Sequence, residues 1–126
     1  MITKEELVMS VYDLANRMAR QIKKSDEYKE YLKKREKVVS NEKTKEMLLD
    51  FQQEQMKLQA KQLSGEDLSE EEKEKLEKLR ELVELNSNLK QYLQAEYKVN
   101  VMLNDIQKIV FGDLDLGIEP EKENKD

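Results

Sequence analysis

Apolar residues recur every three or four positions along most of this chain, which is the spacing of one face of an α-helix. The first such stretch predicts a helix from about Lys4 to Lys24, and a shorter helix follows the cap residues Ser25 and Asp26. The apolar positions of the first stretch are Leu7, Val8, Val11, Leu14, Ala15, Met18, Ala19 and Ile22. The first helix is therefore expected to have one broad apolar face.

A third helix is predicted from roughly Glu42 to Leu63, with Ser40 and Asn41 as candidate caps. Its packing stripe mixes apolar and polar residues: Thr44, Leu48, Phe51, Gln55, Leu58 and Gln62. Gln55 and Gln62 stand where leucine would stabilise packing more, so either they are exposed or they have hydrogen-bonding partners. We hypothesise that they pair across a helix–helix interface and set its register. The alternative, that these turns face solvent, is equally open.

A helical hairpin is predicted around Gly65, which can adopt the left-handed conformation that ends a helix. Ser69 and Glu72 then have the spacing of a capping box and start a fourth helix, which continues to about Leu85. Its narrow apolar stripe consists of Leu76, Leu79 and Val83, with Leu82 beside it. Because the connection is short, the third and fourth helices are expected to be antiparallel.

The fifth predicted helix is the most apolar one, from about Asn88 to Phe111, with Ser87 as its cap and Gly112 at its end. Two neighbouring stripes follow its length. The first comprises Tyr92, Ala95, Val99, Met102, Ile106 and Ile109, and the second Leu89, Leu93, Glu96, Asn100, Leu103, Gln107 and Val110. Two stripes indicate packing partners on two sides.

Together these patterns predict an all-α protein of about five helices, a hairpin or bundle that self-associates. Helices this long, with narrow stripes and only 126 residues between them, leave apolar surface uncovered in a monomer. A homodimer or larger homo-oligomer is the simplest cover. Residues 1–112 are expected to form one helical domain, with most of the packing surface on the hairpin and the fifth helix. Residues 113–126 are expected to form an acidic, disordered tail.

The composition removes most catalytic and metal chemistry. The chain has no Cys and no His, so it lacks thiolates, the usual general base at neutral pH and the commonest transition-metal ligand. We therefore expect no enzymatic activity, no cofactor and no metal site. Glutamates recur along the fourth helix, but they alternate with Lys and Arg, which is typical of a solvated face.

Charge and hydrophobicity argue against two classes of partner, nucleic acids and membranes. The net charge of −5 is spread along the chain with both signs interleaved, so direct nucleic-acid binding through a basic face is not expected. The five tyrosines favour bundle packing over stacking on bases. No apolar run approaches the roughly 20 residues that span a bilayer, and the first residues lack a signal-peptide core. The expected location is the cytoplasm, without membrane association.

Three segments resemble the YlbF/YmcA-like proteins, and most closely the branch typified by YheA. They are VYDLANRMARQIKKSDEYKEY, MLLDFQQEQMKLQAKQLSGEDLSEEE and YLQAEYKVNVMLNDIQKIV, which are distributed along the chain from Val11 to Val110, before its tail. The resemblance implies a self-associating helical fold and relatives that regulate competence, sporulation and biofilm formation through a complex linked to messenger-RNA processing. Members of that complex are associated with iron–sulfur clusters, which this chain cannot hold with its own thiolates.

The sequence thus predicts a non-catalytic adaptor or regulatory protein of a bacterial cytosolic complex, which binds itself and other helical proteins of the same family. The alternative is an RNA-associated accessory factor in messenger-RNA processing. Contacts with another chain are expected at Leu48, Phe51, Gln55, Leu58, Gln62, Glu96, Asn100 and Leu103. For Glu96 and Asn100, the two interpretations are an anchor for a partner's basic residue and the margin of a wide apolar face.

Overall fold

Five α-helices follow one another along residues 10–117, the part of the chain that the computed structural model describes. In chain order they are α1 (Val11–Lys24), α2 (Asp26–Val39), α3 (Glu42–Ser64), α4 (Glu70–Leu85) and α5 (Ser87–Phe111). No β-strand occurs within this range. The all-α prediction with about five helices is confirmed.

The start of α1 corrects the sequence prediction. Ser10 has an extended backbone, and its side chain accepts a hydrogen bond from the Asp13 N–H at 3.0 Å, so a helix begins at Val11. A single helix running from Lys4 through this position is therefore wrong. Ser10 was missed as a cap because the apolar repeat continues on both sides of it. The predicted beginning at Lys4 lies outside the described residues.

The turn between α3 and α4 is built as predicted. Gly65 adopts φ 79°, and the Glu66 N–H donates to the Lys61 carbonyl at 2.8 Å, which closes the end of α3. At the start of α4, the Glu72 N–H donates to Ser69 Oγ at 3.1 Å, and the Ser69 N–H donates to Glu72 Oε1 at 2.9 Å. This reciprocal pair is a complete capping box.

The cap of α5 is one residue earlier than predicted. The side chain of Asn86, not Ser87, accepts the Leu89 N–H at 3.0 Å, and Ser87 is the first residue of the helix. The Ser87 hydroxyl instead accepts a hydrogen bond from Gln91 Nε2. Asn and Ser are almost equivalent caps, so the sequence alone could not choose between these neighbours.

Packing is centred on α5, which contacts α2, α3 and α4. Its most extensive contact is with α2, which runs antiparallel to it, as the pairs Tyr31–Tyr92 and Lys34–Gln91 show. The hairpin and α5 contribute five of the six buried core residues, as expected, but α2 contributes the sixth, Val38, and more of the contact with α5 than its sequence indicated. The second helix was underestimated because its sequence has few apolar positions.

The core lies where α2, α3, α4 and the first half of α5 meet. Its buried residues are Val38, Leu48, Phe51, Val83, Leu89 and Tyr92, with Tyr31, Met47, Leu79 and Leu93 packed against them. Val38 and Leu89 are completely inaccessible to solvent. The core therefore joins the hairpin to the α2–α5 pair, and α1 takes no part in it.

Candidate partner-binding surface

A groove of about 490 Å³ lies between α3 and α5 and is the feature that best fits partner binding. We call it the α3–α5 groove. Its lining residues are Gln52, Gln55, Met56, Leu58, Gln59, Gln62, Leu93 and Glu96. Three apolar side chains can receive apolar groups, while four amides can each donate and accept hydrogen bonds. Such a lining suits a helix that lays its apolar side into a groove and has polar residues beside it.

The eight residues predicted to bind a partner separate into three groups. Leu48 and Phe51 are 6% and 7% exposed, so they belong to the core of this chain. Gln55, Leu58, Gln62 and Glu96 line the α3–α5 groove together. Asn100 and Leu103 are exposed further along α5. Four of the eight are thus brought to one place, two are occupied within the chain, and two lie outside the groove.

The two glutamines of the mixed stripe are exposed in the single chain. The stripe of α3 is buried through Thr44, Leu48 and Phe51 and then turns toward Glu54, while Gln55 and Gln62 line the groove. Their amides therefore have no desolvation cost in the single chain. That Gln55 and Gln62 set the register of an interface stays a prediction.

Two tyrosine hydroxyl groups in series position the Glu96 carboxylate in the groove. The Tyr92 hydroxyl donates to Glu96 Oε2 at 3.3 Å, and the Tyr31 hydroxyl lies 3.4 Å from that of Tyr92. Burial, followed by the hydrogen bond with Tyr31, raises the pKa of the Tyr92 phenol well above its usual range, so it stays a donor. The half-buried Glu96 is the one charged residue of the groove lining. It is suited to accept from a basic residue of a partner.

Glu54 is one of the two buried polar residues of the described chain, and it was not among the residues predicted to have a function. Its Oε2 lies 3.0 Å from Lys75 Nζ of α4 and 3.4 Å from Lys57 Nζ. The hydrogen bond from Lys75 is the main reason that the pKa of this carboxyl is lowered, against the effect of burial. On a helix, the residues three and four positions after Phe51, Glu54 and Gln55, can both share its face. The sequence could therefore have indicated Glu54 only as one of two candidates.

A second ion pair joins α3 to α4 beside the Gly65 turn. Lys61 Nζ lies 2.8 Å from Glu72 Oε1, the same oxygen that accepts the Ser69 N–H. These contacts, the Lys61 hydrogen bond first, lower the pKa of Glu72 to about 2. The pKa of Lys61 is raised by the same bond. Glu54–Lys75 and Lys61–Glu72 together join α4 to α3, the helix that supplies six of the eight groove residues.

The other sequence candidates are the glutamates of α4 and the tyrosines. Apart from Glu72, the recurring glutamates of α4 are exposed. Among residues 10–117, no group of three or more His, Cys, Asp or Glu side chains is arranged to bind a metal ion. Tyr28, Tyr31 and Tyr92 form a packed series, with ring centroids 6.1 and 5.5 Å apart, whereas Tyr97 is 69% exposed. Within the described range, no helix has the length and apolar character needed to cross a bilayer.

Comparison with known proteins identifies the family. The family model described as "Control of competence regulator ComK, YlbF/YmcA" matches residues 11–115. This chain belongs to the YlbF/YmcA family. The match includes all five helices and therefore the whole α3–α5 groove. The resemblance to this family stated from the sequence is confirmed.

Similar proteins occur in several bacteria. A UPF0342 protein of Halothermothrix orenii is 53% identical over 118 residues, which cover 93% of this chain and 100% of that protein. A UPF0342 protein of Desulfitobacterium hafniense is 39% identical over 102 residues, covering 81% of this chain and 82% of its own length. Neither name specifies an activity.

A solved structure shares the fold. The "Protein of Unknown Function (DUF964) from Bacillus stearothermophilus" superposes with a TM-score of 0.70 over 81% of this chain and 90% of its own, at 22% sequence identity. At that identity the likeness concerns the YlbF/YmcA helical architecture alone.

Proposed function

We propose that this protein is a non-catalytic adaptor that binds a helix of another protein in the α3–α5 groove, as a regulatory subunit of a bacterial cytosolic assembly. The observation on which this depends is that Gln55, Leu58, Gln62 and Glu96, from two helices far apart in sequence, line one groove. The family's description, control of a competence regulator, supports a regulatory role. The absence of Cys and His from the sequence supports a role without catalysis.

The groove favours a partner helix with a particular pattern. Leu58, Leu93 and Met56 would receive its apolar side chains, and the glutamine amides would bond to its polar flanks. Glu96, oriented by Tyr92, would accept from an Arg or Lys of the partner. Removal of the Glu96 charge should therefore weaken binding more than removal of any one glutamine amide, because hydrogen bonds between charged groups are the stronger ones.

Self-association is the second part of the proposal. Large apolar side chains stay exposed on α1 and at the end of α5, for example Val11 at 80% and Ile109 at 80%. A second copy would cover them. Light scattering over a range of concentrations should give a mass above that of the 15.0 kDa chain. A stable monomer at every concentration would reject this part and leave the groove proposal standing.

Site-specific photo-crosslinking in cells tests the groove. A photoreactive amino acid at Gln59, in the groove, should capture a discrete protein that the same group at Lys78, on the exposed face of α4, does not capture. Glu96→Gln should reduce the capture. Equal capture at both positions would reject the groove.

The RNA-associated alternative predicts a different result. Capture of RNA at Gln59, with salt-dependent binding of single-stranded RNA by the purified protein, would replace the adaptor proposal. No aromatic side chain lines the α3–α5 groove, which favours the protein partner over stacked bases at this site.

A further inference from the structure

A stripe of glutamines runs along the α3 side of the α3–α5 groove. Its members follow one another at steps of three, four and three residues, and all of them line the groove: Gln52, Gln55, Gln59 and Gln62. This spacing keeps them on one face of the helix, over about 15 Å of its length. Where two helices pack, positions with this spacing normally hold leucine or another apolar residue. In this groove they hold amides.

The four amides have no hydrogen-bonding partner within residues 10–117. Gln52 is half-buried, and the other three glutamines are exposed. Each amide can donate two hydrogen bonds and accept two. Water satisfies them while the groove is open, but a helix that fills the groove removes this water. The partner must then replace the lost hydrogen bonds.

The rest of the molecule shows how this fold treats buried polar groups. Across the part of the chain that the structure describes, no fully buried side-chain nitrogen or oxygen lacks a hydrogen-bonding partner. Glu54 is the clearest case, since Lys57 and Lys75 compensate its burial. An amide buried without a partner should weaken a complex by about tenfold. The composition of the partner helix therefore matters at each of the four positions.

A helix cannot satisfy these amides with its backbone. Its N–H and C=O groups are paired inside the helix except at its ends, so only its side chains are free to bond. A helix with leucine at every facing position would bury the stripe without partners. A helix with Gln, Asn, Ser or Thr at those positions can pair with it. The stripe thus distinguishes between two kinds of amphipathic helix.

Apolar and charged contacts complete the fit. Leu58 and Leu93 are half-buried in the groove, and Met56 is 69% exposed beside the stripe. One oxygen of the Glu96 carboxylate accepts from Tyr92, and the other makes no hydrogen bond with a described residue. The partner helix therefore needs a mixed contact face, with some apolar residues and one base.

We propose that the α3–α5 groove selects a helix with a mixed contact face. Polar residues of the types Gln, Asn, Ser or Thr meet the four glutamines, apolar residues meet Leu58 and Leu93, and one Arg or Lys meets Glu96. A helix with a continuous leucine stripe is rejected, because it leaves the amides buried without partners. This inference rests on the proposed function and specifies its partner.

Crosslinking at Met56 tests the composition of the partner. A photoreactive amino acid at this position lies in the groove and leaves all four glutamines in place. Mass spectrometry of the crosslinked peptide should identify a helix with polar residues at steps of three and four, and with Arg or Lys among them. A captured helix whose facing positions are all apolar, from this chain or from another protein, would overturn the inference.

Two pairs of substitutions test whether the amides are selective. Gln55→Met with Gln59→Met removes two amides of the stripe with little change in side-chain length. Capture at Met56 should fall about tenfold, because the polar side chains of the partner lose their own partners. Gln53→Met with Gln94→Met, the matched control, removes two exposed amides outside the groove and should leave capture unchanged. Equal capture by both double variants would overturn the inference.

A synthetic peptide of the captured helix extends the test to the purified, full-length protein. Replacement of its polar facing residues by leucine should weaken binding to the natural protein about tenfold, as measured by fluorescence anisotropy. The same leucine peptide should bind the Gln55→Met, Gln59→Met variant more tightly than it binds the natural protein. A leucine peptide that binds the natural protein as tightly as the original overturns the selectivity and leaves the groove as a binding site. Failure of capture at both Met56 and Gln59 would instead reject the proposed function, and this inference with it.

Discussion

The two halves of α5 have opposite environments although their sequences look alike. In the first half, Leu89, Tyr92, Ala95 and Val99 are buried against α2, α3 and α4. In the second half, the same repeat continues through Met102, Ile106 and Ile109, yet Ile109 is 80% exposed. An apolar repeat therefore shows which face of a helix needs cover. It does not show whether the cover comes from the same chain.

The largest expected difference between the halves concerns truncation of a side chain. Leu89→Ala removes a completely buried leucine and should lower the free energy of unfolding by about 2–5 kcal/mol at any protein concentration. Ile109→Ala, the control, should act only through association, so its effect should vanish on dilution. Urea unfolding at several concentrations measures both. A concentration-independent loss of equal size at Ile109 would abolish the distinction between the halves.

A smaller effect is expected at the buried carboxylate that joins α3 to α4. Lys57→Met with Lys75→Met leaves Glu54 6% exposed without a cation, which should cost about 1–3 kcal/mol of unfolding free energy. Glu54→Met should cost less, because the two lysines are more than half exposed and keep their hydration. Chemical denaturation of the three proteins compares them. If Glu54→Met proves the more damaging change, the carboxylate stabilises the hairpin in a way that these contacts do not explain.

Local features of the hairpin were predictable because neighbouring residues determine them. Gly65, Ser69 and Glu72 take the conformations and bonds expected from their types and spacing. The choice between Glu54 and Gln55 was not predictable in this way. It depends on Lys75, 21 positions beyond Glu54, being placed opposite that side of α3. The groove could not be predicted for the same reason, because Gln55 and Glu96 come to line one groove only through the packing of α3 with α5.

A moderate dependence on pH is expected for the hairpin. The folded state holds the pKa of Glu72 at about 2, below the ordinary value of 4.5. The unfolded chain therefore binds more protons between these values, so the stabilisation is complete above about pH 4.5 and declines as the pH falls toward 2. Urea unfolding at pH 6, 4 and 3 should show a steeper loss for the natural protein than for Glu72→Gln. Identical slopes would mean that Glu72 does not contribute to acid sensitivity.

The smallest expected effect distinguishes two adjacent residues at the start of α5. Asn86 accepts the Leu89 N–H, so Asn86→Ala should cost about 1 kcal/mol of unfolding free energy. Ser87→Ala removes only an exposed contact with Gln91 and should change the stability by less than about 0.5 kcal/mol. Thermal unfolding of both variants at one concentration resolves the difference. The reverse ranking would place the cap at Ser87, as the sequence predicted. The expected ranking would mean that the buried first half of α5 begins with a hydrogen bond from the N–H of Leu89, its fully buried leucine, to the side chain of Asn86.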